Sequence, residues 1–107
     1  MTNQNTKNTI LISKKTASDY IRDSEADKQT IEVLNKVIDA LIAKGCYDPI
    51  NQLLGYILSE DPTYITSLGN ARSLITSVER DNIIRVLLKE FLRHKVAEEY
   101  KTNNERR

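Results

Sequence analysis

Two Asp-Pro dipeptides and a run of apolar residues at helical spacing constrain the fold of this chain most strongly. Asp48-Pro49 and Asp61-Pro62 each join a side chain that accepts hydrogen bonds from free backbone N–H groups to a residue whose φ is preset for a helix. Each pair therefore predicts a helix start. The apolar residues around them recur three and four positions apart, and no useful period-two segment occurs outside the N-terminal tail. The predicted fold is an all-α, compact bundle of about four to five short helices.

Caps and apolar faces predict where these helices begin and end. Ser24 with Asp27 is a capping-box pattern, and Gly45 suits a left-handed C-terminal cap. The expected buried face of the second helix consists of Ile50, Leu53, Leu54, Ile57 and Leu58. The expected buried face of the last helix consists of Ile84, Leu87, Leu88, Phe91 and Leu92, and Ile83 and Val86 widen this face. The predicted elements are helices over about 27–43, from Pro49 onward, about 71–76 and about 78–95, with a short helical turn at 63–65.

Gly55 is unusual because it lies inside the second predicted helix. Glycine in a helix interior costs about 1 kcal/mol relative to alanine. We interpret this residue as a sign that another backbone approaches closely, in the same chain or in a partner subunit, with Tyr56 beside the contact. The last helix is apolar on more than one side, which favours an oligomer. We therefore predict a homodimer whose core includes Gly55, Tyr56 and the last helix.

Charge and apolar content divide the chain into three parts. Residues 1–15 carry three lysines and no acid, residues 16–92 carry eight basic and twelve acidic residues, and residues 93–107 carry five basic and three acidic residues. We predict a flexible N-terminal regulatory tail over 1–23, a helical domain over 24–97 and a frayed C-terminal tail over 98–107. Polar segments of this kind bury too little apolar surface to offset their ordering entropy.

The sequence offers no motif for catalysis or for metal or cofactor binding. His94 is the only histidine and stands between Arg93 and Lys95, and Cys46 has no histidine near it in sequence. We predict a non-enzyme without metal or cofactor. A single cysteine suits a reducing cytosol, and neither a signal peptide nor an apolar run of membrane-spanning length occurs. We expect a cytoplasmic protein with no membrane insertion.

Two other functions remain open from the residues alone. Residues 50–75 have the order of helices and turns found in a DNA-binding helix-turn-helix. Arg72 is the only cation between Pro49 and Val78, however, and one cation is too few for the phosphate contacts that such a motif makes. We therefore expect no nucleic-acid partner and keep a small DNA-binding regulator as an alternative. A plain oligomerisation module with an irrelevant tail is the other.

The order of motifs from Lys44 onward resembles the IreB/ReoM family of low-GC Gram-positive bacteria. The likeness covers about half the chain, with Cys46 as a one-residue insertion. It is carried by Lys44-Gly45, Tyr47, Pro49, Ile50, Asn51, Gln52, Gly55-Tyr56, Leu58-Ser59, Asp61-Pro62, Tyr64-Ile65, Asn70-Ala71-Arg72 and Glu79-Arg80-Asp81.

The resemblance implies a small, helical, non-catalytic homodimer with a flexible N-terminal tail. In this family the tail is phosphorylated on threonine by a membrane-bound kinase with extracellular PASTA repeats, and a phosphatase reverses the reaction. Through this switch the family regulates cell-envelope synthesis, in one branch by controlling degradation of an enzyme of peptidoglycan synthesis by a Clp protease. A Ser/Thr kinase, a phosphatase and a Clp protease component are therefore the implied partners.

The resemblance also suggests which residues carry the function. Thr9, with Thr6 three positions earlier, matches the phosphorylated pattern by content, whereas Thr16 fits better by its distance from the Lys-Gly turn. The candidates for the dimer and core motif are Tyr47, Pro49, Asn51, Gln52, Gly55 and Tyr56. The candidates for a partner surface are Arg72, Arg80 and Asp81. Ser67, Thr76 and Ser77 occupy positions at which relatives carry basic residues, which implies that part of that surface has changed.

Overall fold

The computed structural model of the protein describes residues 16–45 and 47–105. These residues are helical, and none of them forms a strand, so the predicted all-α class is confirmed. Two 3₁₀ turns, Pro62–Tyr64 and Leu68–Asn70, connect the third and fourth α-helices. Among the described residues the α-helices are α1 (Ala17–Tyr20), α2 (Glu25–Lys44), α3 (Pro49–Ser59), α4 (Ala71–Thr76) and α5 (Arg80–Glu105).

The caps predicted from the sequence bound α2 at both ends. The Ser24 hydroxyl accepts a hydrogen bond from the Asp27 amide (3.1 Å), and the Asp27 carboxylate accepts one from the Ser24 amide (3.0 Å). At the other end Gly45 adopts a left-handed conformation with φ 68° and donates its N–H to the Leu41 carbonyl (3.2 Å). Glycine takes this conformation without the steric cost of a Cβ.

The start of α3 also follows its predicted chemistry. Asp48 Oδ1 accepts a hydrogen bond from the Ile50 amide at 2.9 Å, and Pro49 occupies the first helical position. The helix ends at Glu60, which has φ 63° and donates its N–H to the Tyr56 carbonyl at 2.7 Å. A non-glycine residue is uncommon in this left-handed region.

The chain divides into two compact units, of which residues 23–87 form the larger. Its core collects side chains from α2, α3, the connecting turns, α4 and the start of α5. The buried apolar residues are Val33, Leu34, Val37, Leu41, Tyr56, Ile65, Ala71, Ile75, Ile83 and Val86. This core positions α3 and the turn that follows it.

The smaller unit pairs residues 16–22 with the part of α5 that begins at Leu88. Arg93 donates to the Ile21 carbonyl (2.6 Å), and Lys89 donates to the Arg22 carbonyl (2.8 Å). The sequence analysis placed these residues in a flexible tail, whereas here they include α1 and hydrogen bond to α5. Residues 1–15 lie outside the described residues.

The last helix is longer than predicted. We expected it to end near Lys95 and residues 98–107 to fray, but α5 continues to Glu105. Neither glycine nor proline interrupts this stretch, and Lys95 pairs with Glu99 one turn later (3.6 Å). Good helix formers and such pairs sustain a helix even where little apolar surface is present.

The predicted buried faces were partly wrong. Ile50 and Leu58 on α3 are 75% and 74% exposed, and on α5 it is Ile83 and Val86 that are buried. Helical spacing identifies the apolar faces, but contacts with the rest of the fold decide which of them is covered. The large apolar residues that remain exposed on these two helices are Ile50, Leu54 and Leu58 on α3 and Ile84, Leu87, Leu88 and Phe91 on α5.

Candidate functional site

The motif residues from Tyr47 to Tyr56 lie along the start and middle of α3 and divide between the surface and the core. Tyr47 precedes the helix and is 75% exposed, whereas Tyr56 is only 5% exposed and belongs to the core. Burial raises the pKa of the Tyr56 hydroxyl, against the opposing effect of the nearby Arg80 charge. Tyr56 therefore stabilises the protomer, and Tyr47 is available to a ligand.

Gly55 allows an aromatic ring to lie directly against α3. A Cβ added at Gly55 would lie closer to both Cδ1 and Cε1 of Tyr64 than real Cβ atoms approach their neighbours. The sequence analysis predicted the close approach of a backbone at this position. The neighbour is instead a side chain of the same chain, presented by the Pro62–Tyr64 turn.

This packing creates a groove of about 360 Å³ between the start of α3 and the turn after it. Its lining consists of Tyr47, Asn51, Gln52, Thr63 and Tyr64. Two aromatic rings supply apolar surface, and two amides supply hydrogen-bonding groups. Such a combination, mostly apolar with a few polar groups, is typical of binding sites.

The hydrogen bonds around the groove fix some of these groups and leave others available. Asn51 donates its side-chain N–H to Asp48 (3.2 Å), and this contact does not use its side-chain carbonyl oxygen. Thr63 donates its hydroxyl (2.7 Å) and its backbone N–H (3.0 Å) to Asp61. Within the described part of the chain, the Gln52 backbone N–H donates to the Asp48 carbonyl (3.0 Å), and its side-chain amide has no hydrogen-bond partner.

Carboxylates flank this neutral groove. Asp48 and Asp61 are both exposed and both serve as caps for the elements that form the groove. The hydrogen bond from the Thr63 hydroxyl, then that from its N–H, and more weakly the charge of Arg72, lower the pKa of Asp61, against a small desolvation effect. Asp61 is therefore a negatively charged group beside the groove at neutral pH.

Arg80 closes the C-terminal end of α3. Its guanidinium donates to the Ile57 carbonyl and pairs with the Glu60 carboxylate (2.8 Å). A cation at this end of a helix satisfies free carbonyl groups and interacts favourably with the helix dipole. Arg80 thus holds α3 to the start of α5.

Arg72 holds the segment that precedes α4. Its Nε donates to the Ile65 carbonyl (2.8 Å), and Ile65 is fully buried. The α4 helix has only six residues, and its Ala71 and Ile75 side chains are buried. A DNA recognition helix must present side chains to base edges, and this short, partly buried helix gives that alternative no support.

The remaining partner-surface candidates are exposed. Asp81 lies in the first turn of α5 and accepts a hydrogen bond from the Asn82 amide (3.1 Å). Thr76 and Ser77 donate their hydroxyls to the carbonyls of Ser73 (2.9 Å) and Leu74 (2.6 Å) at the end of α4, and Ser67 is also exposed. These three positions present small hydroxyl groups at the surface.

Of the three phosphorylation candidates, the structure describes Thr16 alone. Its hydroxyl and its backbone N–H both donate to the Asp19 carboxylate, at 3.3 and 3.1 Å, at the start of α1. Thr6 and Thr9 lie outside the described residues.

The sequence does not predict the groove. Its motif residues include Tyr47, Asn51, Gln52, Gly55 and Tyr64, but their spacing does not indicate that Tyr64, with Thr63, lies beside the others. The available signal was the helical glycine followed nine residues later by a tyrosine, in a segment that an Asp-Pro turn redirects. Only the folded chain shows that this ring fills the space left by the missing Cβ.

The described residues define the class of the molecule. They contain no group of three or more His, Cys, Asp or Glu side chains that could hold a metal ion, and no helix long and apolar enough to cross a membrane. Their prominent surfaces are apolar helix faces and a neutral groove, which suit contacts with polypeptides. The protein is a small helical module of the protein-binding type.

Comparison with known protein families gives the specific assignment. Residues 14–93 match the family described as IreB regulatory phosphoprotein. The chain belongs to this family, and the match confirms the resemblance that its motifs indicated.

Proposed function

We propose that this protein is a non-catalytic regulatory adaptor that acts as a homodimer and is controlled by threonine phosphorylation of its N-terminal tail. Its membership of a family of regulatory phosphoproteins is the observation that carries this proposal. The kinase would be of the PASTA-repeat type, with a phosphatase as its antagonist. The output would be control of cell-envelope synthesis or of regulated proteolysis through a Clp protease component, in the cytoplasm.

Exposed apolar side chains support the homodimer. Ile50, Leu54 and Leu58 are four residues apart and follow one face of α3, while Leu88 and Phe91 on α5 are 65% and 71% exposed. Large apolar side chains grouped on helix faces typically mark an interface rather than a solvent-facing surface. We propose each of these faces separately as a candidate dimer contact, because Tyr56 is already buried within the protomer.

Local structure favours Thr9 over Thr16 as the phosphorylated residue. The Thr16 hydroxyl donates to Asp19 at the start of a helix, so a kinase would have to break this contact. A phosphate there would also stand beside the Asp19 carboxylate, where like charges repel. Thr9 is flanked by residues without acidic groups, and Thr6 has the same surroundings.

The partner surface is proposed to include Arg72, Arg80 and Asp81. Arg80 also holds the end of α3, so its loss would disturb both folding and binding. Ser67, Thr76 and Ser77 replace cations nearby and are consistent with a changed target surface.

Phosphosite mapping tests the proposed switch. The protein is purified from its own host and, in parallel, treated with that host's PASTA-type kinase domain, and both samples are analysed by intact-mass and peptide mass spectrometry. We expect a phosphate on Thr9, lost in the Thr9→Ala variant and retained in Thr16→Ala. Absence of phosphate from every tail threonine in both samples would contradict kinase control of this protein.

A further inference from the structure

We propose that the groove lined by Tyr47, Asn51, Gln52, Thr63 and Tyr64 is a docking site for residues 7–15 of this same chain. In this arrangement Ile10-Leu11-Ile12 contacts the tyrosine rings, and the lysines on either side face the carboxylates at the rim. The docked segment belongs to the same protomer or to the second copy in a dimer.

The chemistry of the groove suits an extended peptide. The rings of Tyr47 and Tyr64 offer flat apolar surface with polar hydroxyl tips, a combination enriched at protein interfaces. The Gln52 amide offers both a donor and an acceptor, and Asn51 keeps its carbonyl oxygen as an acceptor. Peptides that bind in grooves use main-chain hydrogen bonds for affinity and side-chain contacts for specificity.

Charge complementarity selects the basic tail as the occupant. The groove lining is neutral, and its rim carries Asp48 and Asp61. The amide at the start of α3 is already capped by Asp48, so an anionic ligand would meet a carboxylate rather than free N–H groups. Residues 1–15 contain Lys7, Lys14 and Lys15 and no acidic residue, whereas residues 16–92 carry twelve acids against eight bases.

The tail also contains a single suitable apolar segment. After Met1, Ile10-Leu11-Ile12 is the only apolar run among residues 2–15, and every other residue there is polar or basic. Three consecutive large aliphatic residues are unexpected in a segment that serves only as a solvated end. Their place between Lys7 and the Lys14-Lys15 pair matches a groove with an apolar floor and an acidic rim.

The length of the tail allows docking at a distance from residue 16. Fifteen extended residues span about 50 Å. A segment of this length can reach a groove on its own protomer or on a second copy.

Phosphorylation of Thr9 would oppose the docking. It adds nearly two negative charges next to Ile10, where the rim carries Asp48 and Asp61. The release step depends on the proposed function, whereas the docking itself does not and is tested on unphosphorylated protein.

Paramagnetic broadening in the full-length chain measures the docking. A nitroxide is attached to Asn5→Cys in a Cys46→Ser background, and the backbone amide signals of ¹⁵N-labelled protein are recorded before and after reduction of the label. We expect the signals of Tyr47, Asn51, Gln52, Thr63 and Tyr64 to lose most of their intensity. Mixing nitroxide-labelled ¹⁴N chains with ¹⁵N chains that carry no nitroxide then shows whether the contact is made within one protomer or between two. Broadening in this mixture assigns the contact to the partner.

Two variants and one control variant make the result specific. Replacing Ile10, Leu11 and Ile12 together by serine keeps the length and charge of the tail and should restore the groove signals. Tyr47→Ala should restore the remaining groove signals, whereas Tyr100→Ala should not, since Tyr100 is similarly exposed (70%) but does not line the groove. Two results would overturn the proposal. One is that the groove signals keep their intensity in the nitroxide-labelled protein with the native tail, and the other is that they are broadened equally in the serine variant.

Discussion

The ring of Tyr64 occupies the space where residue 55 would carry a Cβ, so that Gly55 and Tyr64 pack as one unit across the turn after α3. The contact involves Cγ (3.0 Å) as well as the outer ring atoms, so a larger residue at position 55 would displace the whole ring. It explains why a helix accepts glycine in its interior, and it fixes one wall of the groove.

Gly55→Ala should destabilise the protein despite its better helix propensity. The gain in propensity is about 1 kcal/mol, whereas forcing an extra carbon into a packed site costs about 1–3 kcal/mol. Urea unfolding followed by circular dichroism should therefore show a lower midpoint. In a Tyr64→Ala background the ring is absent and there is no clash. The double variant Gly55→Ala/Tyr64→Ala should therefore be more stable than Tyr64→Ala alone. A midpoint above that of the parent for Gly55→Ala alone would mean that Tyr64 moves away without cost.

Glu60→Gly should stabilise the end of α3. Glu60 has φ 63°, a conformation that costs an ordinary L-residue about 1–2 kcal/mol. The variant loses the pair with Arg80, but Glu60 is 64% exposed, and exposed pairs contribute about 0–1 kcal/mol. Glu60→Gln is the matched control, because it loses the same charge without relieving the backbone. The thermal unfolding midpoint of Glu60→Gly should be higher than that of Glu60→Gln. The reverse order would show that the left-handed backbone conformation at this position has no energetic cost.

Removing Arg80 should cost more than removing Glu60, its charged partner. Arg80→Ala leaves the Ile57 carbonyl without its donor at a part-buried position, with an expected loss of about 1–3 kcal/mol. Glu60→Gln keeps that hydrogen bond and should cost about 0–1 kcal/mol. Equal losses in chemical denaturation would place the stabilisation in the ion pair instead. Binding assays on Arg80 variants therefore need a stability measurement beside them.

Local signals explain how far the sequence predicts this fold. The helix at 71–76, the capping box at Ser24, the Gly45 cap and the two Asp-Pro starts depend on neighbouring residues alone, and each lies where the sequence placed it. The burial of α5 depends on other parts of the fold. Ile83 and Val86 are buried although the more regular stripe of Ile84, Leu87, Leu88 and Phe91 looked like the core face.

The groove lay beyond sequence reasoning for the same physical reason. Tyr47 and Tyr64 are seventeen positions apart, and nothing in their spacing indicates that they line one surface. The glycine between them predicted a close backbone, in the same chain or in a second subunit, whereas the neighbour is the side chain of Tyr64. Its identity follows from the turn at Pro62–Tyr64, whose direction is set by tertiary packing.

Thr63→Val should raise the pKa of Asp61. The Thr63 hydroxyl is the main group that lowers this pKa, and valine keeps the shape and the backbone N–H while removing the hydroxyl. Because the folded-state pKa is depressed, the stabilisation is present above the ordinary carboxyl pKa of about 3.9 and is lost as the pH falls through the folded-state value. The stability difference between parent and variant should therefore shrink on acidification.

Carbon-detected NMR titration of the Asp61 carboxyl group measures this shift directly. Thr76→Val is the control, because that hydroxyl donates to carbonyl groups at the end of α4 rather than to a carboxylate. If the pKa of Asp61 is the same in Thr63→Val as in the parent protein, then the backbone N–H of Thr63 or the charge of Arg72 is what lowers it.

Phe91→Glu should dissociate the proposed homodimer without unfolding the protomer. Phe91 is 71% exposed on α5, so a charge there meets solvent in the single chain but would be buried without a partner in an apolar interface. Tyr100→Glu is matched in helix, in charge and in exposure, and should leave assembly intact, because Tyr100 lies outside the apolar stripe. Sedimentation velocity gives the mass of each variant, and circular dichroism shows whether the helices remain. If Phe91→Glu sediments as the parent does while retaining its helices, the α5 face is not the interface, and Leu58→Glu then tests the exposed face of α3.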